Sequence, residues 1–158
     1  MDEDFATIEQ LDFYEFTATT DAQTRRAFAE KFVSQFAKPN AGFARLVNHG
    51  FDIASRDALV DQWDIFFQLP KEVKERYIIP GRVGQEGYTA FRAEGESAPG
   101  MRDGDLSEFY QIGQVGQGYP PNIWPEEIQG LEGLTERTVE MYGKYERFGD
   151  TIYTLFAL

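Results

Sequence analysis

The feature that most constrains the fold of this chain is the stretch from Pro80 to Pro125, where Gly and Pro recur every few residues and no helical period is present. Because Gly and Pro interrupt regular elements, this stretch predicts turns and loops. Periodic segments lie on both sides of it. The 158 residues are within the size of one domain, with one core expected. A long irregular segment often carries binding groups, although a plain surface connection explains it equally well.

The first periodic segment predicts a short strand and an amphipathic helix. Residues 8–16 are rich in aromatic side chains and run into a threonine-rich turn, which is typical of a strand. Thr20 suits a helix N-cap, with Gln23 at the spacing of a capping box. The helix is predicted over residues 21–37, because Lys38-Pro39-Asn40 would end it. Its core-facing positions are predicted to be Phe28, Phe32 and Phe36.

A second strand and two more helices are predicted before the irregular stretch. Residues 42–47 form a short, mostly apolar run between turn signals, which indicates a buried strand. A helical period follows and ends at Pro70, which also suits the first turn of a third helix through Tyr77. The apolar positions of the second helix are Leu59, Val60, Trp63, Phe66 and Phe67. Later in the chain, residues 106–113 are the best candidate for another strand.

The end of the sequence predicts a long helix over about residues 135–158. Its apolar face is predicted to contain Val139, Tyr142, Tyr145, Ile152 and Phe156. Residues 152–158 include no charge, no Gly and no Pro, whereas a helix usually ends at such a stop signal. An apolar strip at a free end would favour aggregation unless something covered it. We therefore expect that the chain is truncated inside this helix.

The charge of the chain argues against several classes of partner. Fifteen Lys and Arg oppose 27 Asp and Glu, which gives a formal net charge of -12, and no basic patch interrupts this balance. Such a field repels phosphate backbones and anionic lipid headgroups. The acidic N-terminus is unlike a presequence, and no apolar run approaches the ~20 residues of a membrane span. We expect no nucleic-acid partner, no membrane association and a cytoplasmic location.

The chain lacks the residues of several kinds of catalytic site. It contains no Cys and one His, His49, so it cannot form thiolate metal sites or, by itself, an iron site of two imidazoles and a carboxylate. The nearest approach to a nucleophile elbow has Pro99 where a second Gly is required. For His49, a turn residue that hydrogen-bonds the backbone is favoured over a general base. We predict no catalytic residue and no metal ligand in this chain.

Five short motifs occur in a characteristic order. Residues 42–51 form a strand that ends in Asn-His-Gly, and residues 66–74 combine an aromatic helix end, Leu-Pro and a charged segment that ends in Lys. Gly87-Tyr88 follows, then Glu-Phe within residues 107–113, then Pro-Asn-Ile-Trp-Pro at residues 121–125. Together, over nearly the whole chain, these motifs resemble the N-terminal domain of 2-oxoglutarate- and Fe(II)-dependent non-haem oxygenases, the family that includes isopenicillin N synthase.

This resemblance implies an α+β fold in which helices pack on a few strands, as the N-terminal part of a double-stranded β-helix (jelly-roll) oxygenase. Residues 1–158 would be the non-haem dioxygenase N-terminal domain. The catalytic barrel, missing from this chain, would hold Fe(II) with a His-x-Asp pair and a later His, and 2-oxoglutarate with a basic residue. That barrel and a small-molecule substrate are the expected partners. The parent enzyme would oxidise a small organic molecule with O2, whereas this chain alone would bind neither cofactor and would be inactive.

The resemblance also implies where substrate contacts would lie. In some members of the family, the loop after the Gly-Tyr motif and the Glu-Phe strand face the mouth of the barrel. This part of the chain would then shape the substrate entrance and exclude water from the reaction. The candidate substrate contacts are Tyr88, Phe91, Arg92, Glu96 and Phe109. Simple exposure of residues 94–96 to solvent is the alternative for that part of the loop.

Three alternatives stay open at this point. The parent enzyme could use iron without 2-oxoglutarate, as isopenicillin N synthase does. The chain could instead be a non-catalytic binding or regulatory module derived from the family, with the uncovered face of its last helix as a partner interface. A pseudo-oxygenase whose iron ligands have been lost is the third.

Overall fold

The computed structural model describes residues 8–37, 42–82, 85–91, 107–114 and 120–158. In chain order the elements are β1 (Glu9–Asp12), α1 (Tyr14–Thr17), α2 (Ala22–Ser34), β2 (Ala44–Val47), α3 (Ile53–Phe67), α4 (Lys71–Lys74), a 3-10 turn (Glu75–Tyr77), β3 (Gly87–Thr89), β4 (Phe109–Gln111) and α5 (Leu134–Ala157). This mixture of helices and short strands agrees with the predicted α+β class. None of the helices in these ranges has an apolar stretch long enough to cross a bilayer.

The described elements divide into two compact units. Unit 1 contains the described residues up to Ile53 together with Tyr142–Leu158, and unit 2 contains those of Ala54–Met141. Each unit has its own group of buried side chains, whereas chain length alone suggested one core.

Unit 1 is built on a parallel pair of strands. β1 pairs with β2 in the register Glu9 with Ala44 to Asp12 with Val47, and α2 lies between them in sequence, as a parallel connection requires. The buried cluster of this unit is apolar and mostly aromatic: Leu11, Phe13, Phe16, Phe28, Ala29, Phe32 and Leu155. The ring of Phe13 lies 5.2 Å from that of Phe148 and 5.8 Å from that of Phe16. The removal of these rings from water stabilises the unit.

The predicted first strand is shorter than expected. β1 ends at Asp12, and residues 14–17 form a helical turn instead of continuing the strand. The carboxylate of Asp12 accepts a hydrogen bond from the Tyr14 backbone N–H at 3.0 Å, which stabilises the turn. Phe13 and Phe16, three residues apart, then both reach the core. An extended chain would place these two side chains on opposite faces.

The helix predicted over residues 21–37 is present as α2, with two differences at its ends. Its N-cap is Asp21 and not Thr20, because the Asp21 carboxylate accepts from the Thr24 backbone N–H at 2.7 Å. The α-helix ends at Ser34 and is followed by a tighter turn in which Phe36 N–H donates to the Val33 carbonyl. Phe28 and Phe32 are buried as predicted, whereas Phe36 is 46% exposed.

Unit 2 combines helices with an antiparallel hairpin. The helix ended by Pro70 and the turn that follows it are confirmed as α3, α4 and the 3-10 segment. β3 pairs with β4 in the register Gly87 with Gln111 to Thr89 with Phe109. β3 was not predicted, and β4 is shorter than the strand expected over residues 106–113, of which residue 106 lies outside the described part. Both strands have three residues, too few for a period of two to be recognisable.

The last helix agrees with its predicted range, but its buried face differs. α5 covers Leu134–Ala157. Its most buried side chains are Leu134, Thr138, Met141 and Leu155, with Phe148 and Ile152 partly buried. Tyr145 and Phe156 are more than half exposed, so the predicted face was displaced around the helix. Of the predicted positions, Ile152 does pack against the core of unit 1.

Candidate functional site

A buried lysine lies at the centre of a polar cluster in unit 2. Lys74, at the end of α4, has a side chain that is only 9% exposed. Its ammonium donates to the Phe67 backbone carbonyl at 2.9 Å and to the two Glu108 carboxylate oxygens at 2.8 and 2.7 Å. The Tyr88 hydroxyl donates to the same carboxylate. The three N–H groups of the ammonium therefore have three acceptors, as a buried charge requires.

The cluster changes the acidity of its members. Burial raises the pKa of the Glu108 carboxyl, but hydrogen bonds from Lys74 and Tyr88 outweigh it, and the pKa lies below its ordinary 4.5. Burial, with the hydrogen bond to ionised Glu108, raises the pKa of Tyr88 well above its ordinary 10.0. The Lys74 ammonium also lies 5.6 Å from the centre of the Tyr88 ring. At neutral pH the cluster is thus a carboxylate held by an ammonium and a neutral phenol.

This cluster forms one wall of a cleft of about 530 Å³. The cleft is lined by Lys71, Lys74, Tyr88, Ala90, Phe91 and Glu108. Phe91 is 52% exposed, and Lys71 has its ammonium near the surface, 3.5 Å from Glu75. An exposed aromatic ring beside mixed charges offers both an apolar contact and polar contacts to a small molecule, within the volume range of ligand pockets.

The predicted substrate contacts are distributed unevenly around this cleft. Tyr88 and Phe91 line it, although the Tyr88 hydroxyl is already bonded to Glu108. Phe109 is not among the lining residues. Side chains alternate along a strand, so Phe109 lies on the face of the hairpin opposite to Tyr110 and its partner Tyr88. Arg92 and Glu96 lie outside the described residues.

Behind the cluster, aromatic rings surround Phe66, which is fully buried. The ring of Phe66 lies 5.1 to 5.9 Å from those of Trp63, Tyr77, Tyr88 and Tyr110. The Tyr77 hydroxyl donates to Glu127, and burial, followed by this bond, raises the pKa of Tyr77 to about 12. Burial also raises the pKa of Tyr110, whose hydroxyl donates to the Ile123 carbonyl at 2.5 Å.

The Pro-Asn-Ile-Trp-Pro motif is attached to the same hairpin. The Asn122 side-chain amide accepts from the Gly113 N–H at 2.8 Å and donates to the Gly113 carbonyl at 2.9 Å. The Asn122 amide pairs with both the backbone N–H and the backbone carbonyl of Gly113, as a residue of a neighbouring strand would. It therefore extends the backbone hydrogen bonding of the hairpin two residues beyond β4. Three of the motifs in the sequence thus meet at the cluster, through Lys74, Tyr88 and Glu108, and a fourth is bonded next to it.

The Asn-His-Gly motif has a structural role in unit 1. Asn48 has a φ of 54°, which is unusual outside glycine and common for Asn. Its amide donates to Asp12 at 2.9 Å. His49 accepts from the Phe51 N–H at Nδ1, at 3.2 Å, and its ring packs against Phe51. The predicted backbone hydrogen bond of His49 is therefore confirmed.

The residues of this chain do not fit an iron site of the facial-triad type. That site needs two imidazoles and a carboxylate, and the sequence contains one His. Over the described ranges, His, Asp and Glu side chains form no group of three or more that could hold a metal ion. No chemical step through a metal can be derived from these side chains.

In the sequence, Lys74 and Glu108 are recognisable only as members of motifs, and neither is predicted as a site residue. A Lys at the end of a helix resembles an exposed residue, since most lysines are exposed. Local sequence offers no signal against that reading, because Lys74 lies in a mostly charged segment from Lys71 to Arg76. Its partner lies 34 residues away, a separation that periodicity cannot reveal.

Comparisons with known proteins agree on one family. The family model described as non-haem dioxygenase in morphine synthesis, N-terminal, matches residues 8–127. The 2-oxoglutarate-dependent dioxygenase ecdK of Aspergillus rugulosus is 32% identical over 142 residues, which cover 80% of this chain and 41% of the relative. The 2-oxoglutarate-dependent dioxygenase thnC of Trichoderma harzianum is 29% identical over 121 residues, which cover 71% of this chain and 36% of the relative.

A solved structure shows the same fold. The full-length Neurospora crassa T7H in complex with alpha-KG superposes with a TM-score of 0.79 at 24% identity, over 99% of this chain and 48% of that chain. The chain thus spans about two-fifths of the length of these curated relatives and about half of the solved protein.

Proposed function

This chain belongs to the non-haem dioxygenase N-terminal family, and from this premise we propose that it is the N-terminal part of a 2-oxoglutarate- and Fe(II)-dependent oxygenase, where it shapes the substrate entrance. The observation that carries the proposal is the family match over residues 8–127 in a chain that spans less than half of its relatives. The relatives are named 2-oxoglutarate-dependent dioxygenases, and the solved protein was crystallised with alpha-KG.

Under this proposal the oxidation takes place in a part of the protein outside this chain. Fe(II) and 2-oxoglutarate are held by a catalytic barrel outside residues 1–158, since this chain has one imidazole. Bound together, they supply the oxidation of a small organic molecule by O2. The residues of this chain bind or orient the substrate on its way in and help to exclude water. α5 connects the two parts, and the exposed side chains of Tyr153 and Phe156 in α5, with Leu158 just after it, are available for packing against the barrel.

The cleft beside Tyr88 and Phe91 is the region of this chain proposed to face the substrate. Its support is the combination of an exposed aromatic ring with the charged groups of Lys71 and Glu108 in a recess of suitable volume. Arg92 and Glu96 are retained as predicted contacts of the same cleft, and Phe109, on the other face of the hairpin, stays a separate prediction. Phe91→Glu tests the apolar contact, because it replaces the ring by a charge and should raise the KM for the substrate.

The test is to extend the reading frame past Leu158 and to purify the full-length protein. We expect the extension to encode His-x-Asp and a distal His, and the protein to release CO2 from 2-oxoglutarate only with Fe(II) and O2. The matched control replaces the first His of that motif by Ala, which should abolish the release. A frame that stops directly after Leu158 would contradict the proposal and favour a non-catalytic binding module. Iron-dependent O2 consumption without 2-oxoglutarate would favour a reaction like that of isopenicillin N synthase.

A further inference from the structure

Unit 1 contains a cavity of its own, with a volume of about 290 Å³. One side of it is a face of α5, on which Lys144, Arg147 and Phe148 lie at helical spacing. Phe13 and the turn that follows β2 form the other side. The volume is near the lower end of the range for ligand pockets, so the cavity suits a small molecule.

Three aromatic rings give the cavity an apolar wall. The ring of Phe148 lies 5.2 Å from the ring of Phe13 and 5.2 Å from the ring of Phe51, edge to face in both cases. Phe13 is buried, whereas Phe51 and Phe148 are half-buried. Apolar ring surface is therefore still in contact with water, and a ligand that covered it would gain free energy.

Arg147 brings a cation without a partner to the same cavity. Its guanidinium forms no ion pair and donates no hydrogen bond within the part of the chain that the structure describes. Lys144 lines the cavity three residues earlier. Two cations do not make a nucleic-acid surface on a chain of net charge -12, but they suffice for one small anion. The fork of guanidinium N–H groups matches a carboxylate in shape.

The position of the guanidinium depends on a glycine in the interior of α5. Gly143 lies four residues before Arg147, although glycine destabilises a helix relative to alanine. A Cβ at residue 143 would lie 3.3 Å from Arg147 Nη1, which is closer than ordinary contact. The missing side chain thus leaves room for the guanidinium to lie back along the helix. At Gly149, by contrast, no side chain among the described residues comes within 4 Å of such a Cβ.

His49 adds a third polar group to the lining. Its Nδ1 accepts from the Phe51 N–H at 3.2 Å, so the neutral ring carries its proton on Nε2. Nε2 is therefore a hydrogen-bond donor, like the guanidinium and the ammonium. An ionised carboxylate only accepts hydrogen bonds, so it suits all three groups.

We propose that this cavity binds a small organic carboxylate, and that Gly143 keeps the Arg147 guanidinium in place to hold it. Lys144 and His49 are its further polar contacts, and the apolar part of the ligand covers the rings of Phe51 and Phe148. An inorganic anion would leave the aromatic wall in water, and a neutral aromatic molecule would leave the guanidinium without an acceptor. The inference does not rest on the proposed function, because binding is measurable whether or not the protein turns over 2-oxoglutarate.

The experiment titrates 4-fluorobenzoate, a carboxylate on a single ring, with the full-length protein and records the ¹⁹F line width. Two further compounds separate the parts of this ligand. 4-Fluorobenzyl alcohol has the ring without the charge, and inorganic phosphate, added as a competitor, has charge without the ring. The key variant is Arg147→Met, and the matched control is Arg26→Met, at an exposed arginine of α2 that pairs with Glu30. Urea unfolding of each protein shows whether its stability is retained.

We expect saturable binding of 4-fluorobenzoate with a Kd on the order of 1 mM, as is typical of a ligand of about ten non-hydrogen atoms. Arg147→Met should weaken it about tenfold, because a charge-assisted hydrogen bond is lost, and Arg26→Met should leave it unchanged. Absence of saturable binding, or equal binding by the Arg147→Met protein, would overturn the proposal. Equal affinity for the alcohol or for phosphate would do the same, because either would exclude a site for organic carboxylates.

A second pair of variants tests the position of the guanidinium and not only its charge. Gly143→Ala should stabilise α5 but displace Arg147, and so weaken binding roughly threefold through poorer hydrogen-bond alignment. Gly149→Ala should stabilise the same helix and leave the affinity unchanged. Because both substitutions favour the helix, a loss of affinity cannot come from unfolding. Equal affinities in the two alanine variants would contradict the role assigned to Gly143.

Discussion

Both units bury aromatic rings, but unit 1 buries phenylalanine where unit 2 buries tyrosine. The rings of unit 1 are Phe13, Phe16, Phe28 and Phe32. Those around Phe66 in unit 2 include Tyr77, Tyr88 and Tyr110. Phenylalanine rings are stabilised by burial and packing, with no polar group to satisfy, whereas a buried tyrosine also needs a partner for its hydroxyl. The three tyrosines find theirs in Glu127, Glu108 and the Ile123 carbonyl.

This difference separates two ways to stabilise a small unit. The core of unit 1 depends on volume and is indifferent to pH, because its rings do not titrate. The aromatic group of unit 2 depends on the ionised state of particular acids and on the direction of particular hydrogen bonds. The candidate cleft belongs to the second kind, which suits a place where geometry matters more than bulk stability.

The largest effect is expected from a cavity in unit 1. Phe16 is fully buried, so Phe16→Ala should lower the free energy of unfolding by about 4 kcal/mol, from lost transfer energy and the cavity left behind. Phe36→Ala, at a half-exposed position of the neighbouring helical turn, is the control and should cost less than about 1 kcal/mol. Urea unfolding measures both. Equal losses would mean that the shape of this core does not determine its stability.

The next effect is expected from an unpaired charge in unit 2. Lys74→Met alone leaves Glu108 partly buried without its ammonium, and should cost about 3 kcal/mol at neutral pH. Lys71→Met removes a cation from the same helix at an exposed position and should have almost no effect. Guanidinium would screen the charge, so the measurement needs urea at low salt. A loss below that of the exposed control would show that Glu108 is adequately hydrated without Lys74.

Alkaline pH should weaken unit 2 more than unit 1, in which the raised pKa of Lys31 belongs to a solvent-exposed pair with Glu9. The folded pKa of Tyr77, about 12, lies above its ordinary 10.0. A raised pKa contributes stability that is complete below pH 10 and is lost as pH rises through the folded value, because the unfolded chain releases its proton first. For Tyr77 the loss should reach about 1.4 kcal/mol near pH 11. Amide exchange read separately in the Phe66 and Phe28 regions would detect it, and a parallel decline in both regions would contradict the prediction.

Effects of a similar, small size are expected from exchanging the two ring types. Tyr77→Phe removes the hydrogen bond to Glu127 and should cost about 1 kcal/mol while reducing the alkaline sensitivity of unit 2. Phe16→Tyr places a hydroxyl in a fully buried site and should cost about 2 kcal/mol. Thermal unfolding at pH 7 and near pH 11 compares the two variants. If neither substitution changed the free energy of unfolding, the contrast between the units would have no energetic basis.

The long helices of this fold were predictable from local sequence, whereas the short strands were not. α2, α3 and α5 carry apolar side chains at helical spacing, which local sequence reveals. β3 and β4 have three residues each and exist because they pair with each other. The N-cap is Asp21 and not Thr20, because the Asp21 carboxylate accepts from the Thr24 N–H, and propensity does not resolve a difference of one residue.

The candidate site was predictable in its motifs but not in its arrangement. Tyr88 and Phe91 were identified from the resemblance, and the structure places both beside one cleft. Lys74 and Glu108 were missed as a pair because 34 residues separate them and each alone looks like a solvated charge. Phe109 was chosen from the same motif as Glu108, but the alternation of β4 turns it to the other face of the hairpin.

The two-stranded sheets have a practical consequence for work at the bench. Over the described residues, β1 pairs with β2 and β3 with β4, and the second edge of β3 has a single bridge, between Ile78 and Gly87, so the outer edges largely lack a strand partner. Isolated two-stranded sheets are marginal in water, and open edges recruit strands from other molecules. Recombinant production of residues 1–158 by themselves should therefore yield inclusion bodies more readily than production of a longer polypeptide, and solubility screens of staged C-terminal extensions would find the shortest manageable product.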